Sequence, residues 1–567
     1  MRETFKMKKS NTRPSTLRGK SISTGYAIGR AYIYKDILTK DLYFYSIQQH
    51  DIEAELKRIK QVFGNVIKDL KRVEKNVKKG IGKNQGDIFE VHAQILKDKT
   101  LIKEVEEELK NELVNAEHAV RNVFRKWADK FRSSQNERTK SKADDLMDIS
   151  RRVLCSFMDC DVNMLENIPP ESIIIAKRLL PSDTVRLNRK NAKGIIVEQG
   201  SNVSHSAIIA RSLGIPALTD VKNAASIFKA REKLIIDGCK EEIIKGPTSY
   251  DISKFSKIIQ STKETETALI KKARRASKTK DGIPVKVYAN VASAEGAKAA
   301  DARGMDGIGL LRIEQLYMSS KTLPDEKYLI KELHKILKPA KNKVITFRLL
   351  DIGSDKNIPY IELEKEQSPA LGLRGVRLLL KYKNLLKTQL RGVIALSKDY
   401  NIRILVPIVS FHEEMQEIRE ITKEIVKQAN KDNGMKIKAL KIGAMIEIPA
   451  AVENIKKIAK HSDFLSIGTN DLIQYSIAAG RDNPSVSEYY KHGSKLAIKY
   501  IRKIVKSANR HGIECSICGE MAGDMEWIKP LFKTGIRAFS VSPYLVPYVK
   551  DHICKITGDE KTSCHPE

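Results

Sequence analysis

The chain has 567 residues, more than one hydrophobic core accommodates, so about three to four domains are expected. Its 41% hydrophobic and 30% charged residues exclude a disordered polymer, and no run approaches the roughly 18 apolar residues of a membrane span. With 102 Lys and Arg against 70 Asp and Glu the net charge is +32, which attracts anions such as nucleic acid, phosphorylated metabolites or acidic surfaces without choosing among them.

Residues 1–17 are basic and polar, lack the apolar stretch of a signal peptide, and read as an extension. The seven cysteines are odd in number and scattered, which is not a secreted disulfide framework and points to a reducing, cytoplasmic setting. Residues 18–47 are glycine-punctuated and β-rich. Residues 48–148 differ: Ile52, Leu56, Ile59, Val62, Phe63, Ile67 and Leu70, then Ile88, Phe89, Val91, Ile95 and Leu96, fall at helical spacing, predicting an antiparallel helical bundle. Short apolar runs return in 149–249 (SIIIAKRL, GIIVEQG, LIIDG, EEIIKG). These match the first segment in style, so the bundle reads as an insertion into one α/β domain. Residues 250–282 form a charged, solvated linker helix, and 556–567 a tail.

From 283 to 555 eight short β-like runs alternate with helical stretches: VKVYAN, DGIGLLR, VITFRLLD, RILVPIV, KIGAMIE, FLSIGTND, CSICGE and AFSVS. Eight such units have the size and count of a (β/α)8 TIM barrel, whose active residues sit where strands end. The polar residues Arg312, Arg348, Glu447, Asn470, Asp471 and Cys518 fall there. The fold expected is therefore multidomain α/β: an α/β domain with an inserted helical bundle, followed by a C-terminal TIM barrel.

His205, in SHSAIIAR, follows a Gly-Ser-Asn turn and precedes an apolar helical run. At a helix N-terminus, backbone N–H groups and the dipole favour an anion and a neutral, nucleophilic imidazole. Taken alone, the pattern fits an ordinary structural histidine better than a nucleophile. Glu447 and Asp471 offer two hard oxygen ligands, enough for Mg2+ when substrate phosphate and water complete the octahedron, although either fits a solvated loop acid. Arg312, Arg348 and Arg481 are suited to bidentate binding of phosphate or carboxylate. Cys515-x-x-Cys518 has the spacing of a redox pair or half a zinc site, but no second such pair accompanies it. An offset of three along one strand turns the two thiols to opposite faces, leaving Cys515 for the core.

The run GIIVEQGSNVSHSAIIARSLGIPAL resembles the phosphohistidine segment of phosphoenolpyruvate-utilising enzymes. MDGIGLLRIEQLYM, FRLLDIGSDKNIPY, SPALGLRGVR, GAMIEIPAA, FLSIGTNDLIQY, AGRDNP and CGEMAGD resemble the barrel segments that follow it, in family order. The arrangement over about residues 18–550 is similar to enzyme I of the phosphoenolpyruvate–sugar phosphotransferase system. The resemblance implies that His205 takes the phosphoryl group of phosphoenolpyruvate and passes it to a small phosphocarrier protein (HPr) docked on residues 48–148. Pyruvate is released, as the first step of sugar uptake. It implies Mg2+ on Glu447 and Asp471, and phosphate contacts from Arg312, Arg348 and Arg481 with Arg374 nearby. It also implies Asn470 on phosphate or carboxylate, Thr184 hydrogen-bonded to the histidine, a near-neutral Cys518 thiol that moves the C3 proton, and a homodimer through the barrel.

Four positions depart from the family pattern. Val203 replaces a threonine beside His205, Ser201 a glycine, Leu180 a threonine, and Ile313 a threonine after Arg312 whose lost hydroxyl is expected to weaken phosphate binding. Three other readings are weighed. A dikinase or synthase of the same class needs an ATP-binding domain, and no Gly-rich nucleotide segment precedes His205. A regulatory phosphate donor on the same scaffold would differ only in its acceptor. A nucleic-acid binder would suit the charge, but no zinc-finger spacing or aromatic RNA-binding motif supports it.

Overall fold

The run SIIIA at Ser172–Ala176 is buried at every position, as a strand covered on both faces must be. It is β4 of an eight-stranded mixed sheet with the order β1-β8-β7-β3-β4-β5-β6-β2. The other strands are β1 (Ser15–Arg18), β2 (Lys20–Ser23), β3 (Tyr26–Ile33), β5 (Ala192–Val197), β6 (Ala217–Thr219), β7 (Lys233–Asp237) and β8 (Glu242–Lys245). Alternation sorts the side chains: Ile174 and Ala176 enter one core, Ile173 and Ile175 the other. The computed structural model describes residues 15–34, 36–39, 44–80, 83–133, 137–158, 160, 164–180, 183, 187, 190–199, 210, 214–318, 320, 322–354, 360–361, 364, 366–433, 440–480 and 486–557.

Strands β3 and β4 are parallel neighbours, yet five helices lie between them in the chain. These are α1 (Ile52–Gly80), α2 (Lys83–Ile95), α3 (Lys99–Glu112), α4 (Ala116–Arg132) and α5 (Glu137–Phe157). Their shared core contains Phe63, Leu70, Phe89, Leu96, Leu101, Leu109, Phe124 and Ile149. Val91, assigned to the apolar face from its spacing, is instead 48% exposed. The i+3 and i+4 positions from Ile88 fall on Val91 and His92; the buried one is His92, at 0% exposure.

A buried ion network ties α5 to the α/β sheet. Arg151 bonds Tyr34 Oη at 2.6 Å, Asp183 Oδ2 at 3.0 Å and Asp148 Oδ1 at 2.8 Å. Asp183 also accepts from the Tyr34 hydroxyl and from Leu180 N–H, at 3.1 and 2.7 Å. Burial opposes the charge on Arg151, but Asp183 and Asp148 outweigh it and hold the guanidinium well above its ordinary range.

The chain divides into two units, Met1–Lys263 and Glu264–Glu567, with the boundary inside α6 (Ser249–Ala273). In the second unit β9 (Ser277–Lys278) pairs antiparallel with β10 (Pro284–Val291). Strands β10, β11 (Gly307–Leu311), β12 (Val344–Arg348), β13 (Ile402–Val406), β14 (Ile442–Ile446), β15 (Phe464–Gly468), β16 (Glu514–Cys518) and β17 (Ala538–Val541) are all parallel, in sequence order. Pairing of β10 with both β11 and β17 closes the barrel. Outward residues such as Val287, Phe347, Ile404 and Phe539 meet the helices, while Leu310, Leu405, Met445, Phe464 and Cys518 fill the inside. Low in the barrel Arg403 bonds Thr346 and Glu514, each at 2.9 Å, and lies 4.2 Å over the Phe464 ring. Among the described residues no helix is long and apolar enough to cross a membrane.

Removing Arg151 leaves the Asp148 and Asp183 carboxylates buried without their shared cation. Arg151→Met is expected to destabilise the first unit by roughly 3–5 kcal/mol. Urea unfolding followed by Trp127 fluorescence in a Trp527→Phe background measures this, and an unchanged midpoint would contradict it.

Candidate active site

Six of the residues expected at the site, and Arg374, lie at the carboxyl ends of the barrel strands. Arg348 is the last residue of β12, Cys518 the last of β16, and Glu447 follows β14 directly. Asn470 and Asp471 open the helix Thr469–Ile477 after β15, and Arg374 caps the helix Gly375–Lys381. Arg312 follows β11, and a β-bulge decides where it points. Between Ile308 and Leu311 the strand carries one residue more than β12 opposite it. Ile308 and Leu311 therefore both face outward, while Leu310 and the position of Gly309 face the barrel interior. After that shift Arg312 falls on the inner side, close enough for its charge to act on Cys518. Gly309 is required there, because an added Cβ would stand 2.6 Å from Ser540 Cβ and 2.7 Å from Tyr288 Cβ.

The arginines are held by acids that the sequence reading did not single out. Arg348 Nη2 bonds Glu314 Oε1 at 2.8 Å, and Nη1 lies 3.6 Å from Asp351. Arg374 grips Asp351 through Nε and Nη2 at 3.0–3.1 Å. Burial works against the charge of Arg348, but Glu314, Asp351 and Glu447 together hold it well above its usual range. Both acids had a visible signal: each ends or follows a β-like run, as Glu447 does.

Glu447 is 1% exposed and accepts from Ile408 N–H at 2.7 Å. Burial and the neighbouring Asp471 and Asp351 push its carboxyl up to about 8, against the pull of Arg348 and that N–H. A buried acid forced toward neutrality by two like charges is a site that a divalent cation would relieve. Among the described residues no three His, Cys, Asp or Glu side chains form a ready-made metal cage. Asn470 Oδ1 accepts from Glu520 N–H at 2.9 Å, which fixes the orientation of its amide. Gly519, at φ +119°, makes the turn behind Cys518; an added Cβ would collide with Thr469 Oγ1.

Two expectations change. The Cys518 thiol is not near neutral: burial and Glu447 push it up to about 11, while Ser466, Arg312 and Arg348 pull the other way. A thiol raised that far favours its protonated form over a standing thiolate at pH 7. Ile313 is fully buried in the apolar shell outside the strands, so its side chain does not reach the phosphate region. Cys515 does face away from Cys518, against the outer core, which removes a redox or zinc pair. His205, Thr184, Arg481, Ser201 and Val203 lie outside the described residues.

Three family models cover the chain. Residues 18–142 match the N-terminal part of PEP-utilising enzymes, 168–241 their mobile domain and 266–557 their PEP-binding domain. The barrel with its charged mouth is thus the phosphoenolpyruvate-binding half of this class. A phosphoenolpyruvate-protein phosphotransferase of Geobacillus stearothermophilus is 33% identical over 97% of this chain and 94% of its own length. The proteins of the same name in Bacillus sp. (strain S) and Bacillus subtilis are 34% and 32% identical, over 94% and 96% of this chain and 91% and 95% of theirs. The chain belongs to the phosphoenolpyruvate-protein phosphotransferase family.

The raised Glu447 has a measurable consequence. A carboxyl whose folded pKa lies above its unfolded value of 4.5 contributes stability below that value, and the contribution is lost as pH rises toward about 8. Metal-free Glu447→Gln should therefore gain stability relative to the parent as pH goes from 5 to about 8. Thermal unfolding across that range tests it; parallel pH profiles would show that Glu447 is not held protonated.

Proposed function

We propose that His205 is the phosphoryl carrier and that the barrel mouth holds its donor, phosphoenolpyruvate. Arg312, Arg348 and Arg481 bind the phosphate, Arg374 and Asn470 complete the contacts, and Thr184 orients the histidine. Glu447 and Asp471 would hold Mg2+, which when bound supplies further positive charge against the phosphate oxygens. The imidazole attacks phosphorus in line, the bond from phosphorus to the enol oxygen breaks, and its electron pair leaves with enolpyruvate. Cys518 then gives its proton to C3, forming pyruvate. Phospho-His205 passes the group to a histidine of an HPr-like phosphocarrier docked on residues 48–148. Positioning and charge neutralisation are what phosphoryl transfer demands of a protein.

The observation that carries this reading is the convergence of Arg348, its partner acids Glu314 and Asp351, Glu447 and a protonated Cys518 at the carboxyl ends of the barrel strands. The fixed cations fit a phosphate, the crowded acids fit a divalent metal, and the thiol fits an enolate. Residues 18–47 and 149–249 make the phosphohistidine domain, 250–282 the link to the barrel at 283–555, and the barrel forms a cytoplasmic homodimer.

Incubation with 32P-labelled phosphoenolpyruvate and Mg2+ should label the parent chain and leave His205→Ala unlabelled. Labelling that survives the substitution would move the phosphoryl group to another residue.

A further inference from the structure

A buried serine stands beside the Cys518 thiol, and the reaction as described gives it no part. Strands β15 and β16 pair in parallel with Ser466 opposite Ser516 and Gly468 opposite Cys518. Ser466 and Cys518 thus lie diagonally, two residues apart on the inner face of the barrel. Gly468 carries no side chain to separate them. Ser466 Oγ donates to Cys518 Sγ at 3.5 Å, and the thiol donates to the Ile467 carbonyl at the same distance.

Ser466 is 0% exposed, and the apolar part of the interior around Cys518 is Leu310, Leu405, Met445 and Phe464. A hydroxyl carried into such surroundings costs free energy unless it is hydrogen-bonded. Alanine would suit the apolar packing; the hydroxyl is matched by the sulfur. Of the two bonds that hold the sulfur, only the serine's outlasts loss of the thiol proton. It then becomes a charge-assisted bond and strengthens, whereas the Ile467 carbonyl loses its donor.

We propose that Ser466 is the positioning residue for proton transfer at Cys518: it aims the sulfur and stabilises the thiolate left after the proton has gone. In that step the S–H bond breaks and a C3–H bond forms from the enolate's electron pair. The sulfur keeps the S–H pair and accepts from Ser466 until solvent returns a proton. This inference rests on the assignment of Cys518 as the proton donor.

The test compares two rates in the full-length protein with Mg2+. One is exchange of pyruvate C3 hydrogens in D2O, followed by NMR; the other is labelling of the chain from 32P-phosphoenolpyruvate in a single turnover, the internal reference. Ser466→Ala should lower the ratio of exchange to labelling by about tenfold to a hundredfold, the range expected for a hydrogen bond to a charged group. Ser466→Thr, which keeps the hydroxyl, should restore most of it. Cys518→Ala should abolish exchange. If Ser466→Ala keeps the parent ratio while Cys518→Ala loses exchange, the inference fails and the role of the thiol stands. Equal loss of both rates in Ser466→Ala, without recovery in Ser466→Thr, would show a purely structural serine. Exchange that persists in Cys518→Ala would overturn the underlying assignment itself.

Discussion

The second unit depends on placing opposite charges side by side where water is scarce. Arg348 sits at the end of β12 with 7% of its surface exposed, between Glu314 and Asp351 and within the field of Glu447. Neither the cation nor the acids would be tolerable there alone. Together they form a charged mouth on a barrel whose interior also holds Leu310, Leu405, Met445 and Phe464. Asp351 extends the arrangement to Arg374, so two arginines at the barrel mouth are held by one carboxylate.

This pairing leaves one charge unresolved. Glu447 is buried and faces Asp471 and Asp351 with only part of Arg348 to balance it, and burial together with those acids favours its protonated form. Burial likewise keeps the Cys518 thiol protonated, against the pull of Ser466, Arg312 and Arg348. Burial at the barrel mouth thus favours the protonated form of both groups. The first unit uses the same device for another end: Arg151 among Asp148 and Asp183 joins the last bundle helix to the sheet.

Much of this was legible in the residues. Eight short apolar runs between helical stretches marked the eight strands of the closed barrel, and the bundle helices announced themselves through Phe63, Leu70 and Leu96. Glu447, Asp471, Arg348 and Cys518 could be named because strand ends are where a barrel carries chemistry. Glu314 and Asp351 stand near strand ends, but what marks them is the arginines they hold, and what marks Ser466 is a thiol on the neighbouring strand. Val91 was misplaced because helical spacing admits two neighbouring positions, and contact with the other helices selects between them.

The sequence by itself determined the order of domains, the count of barrel strands and the family, since those follow from local pattern and from motifs read in order. Only the tertiary structure decided how Arg312 is aimed, through a bulge at Gly309 that no spacing reveals. It alone decided that Ile313 belongs to the core, that Cys518 keeps its proton and that Glu447 resists losing one. The reason is physical: protonation depends on burial and on charges only a few ångströms away, and those charges come from residues far apart in the chain.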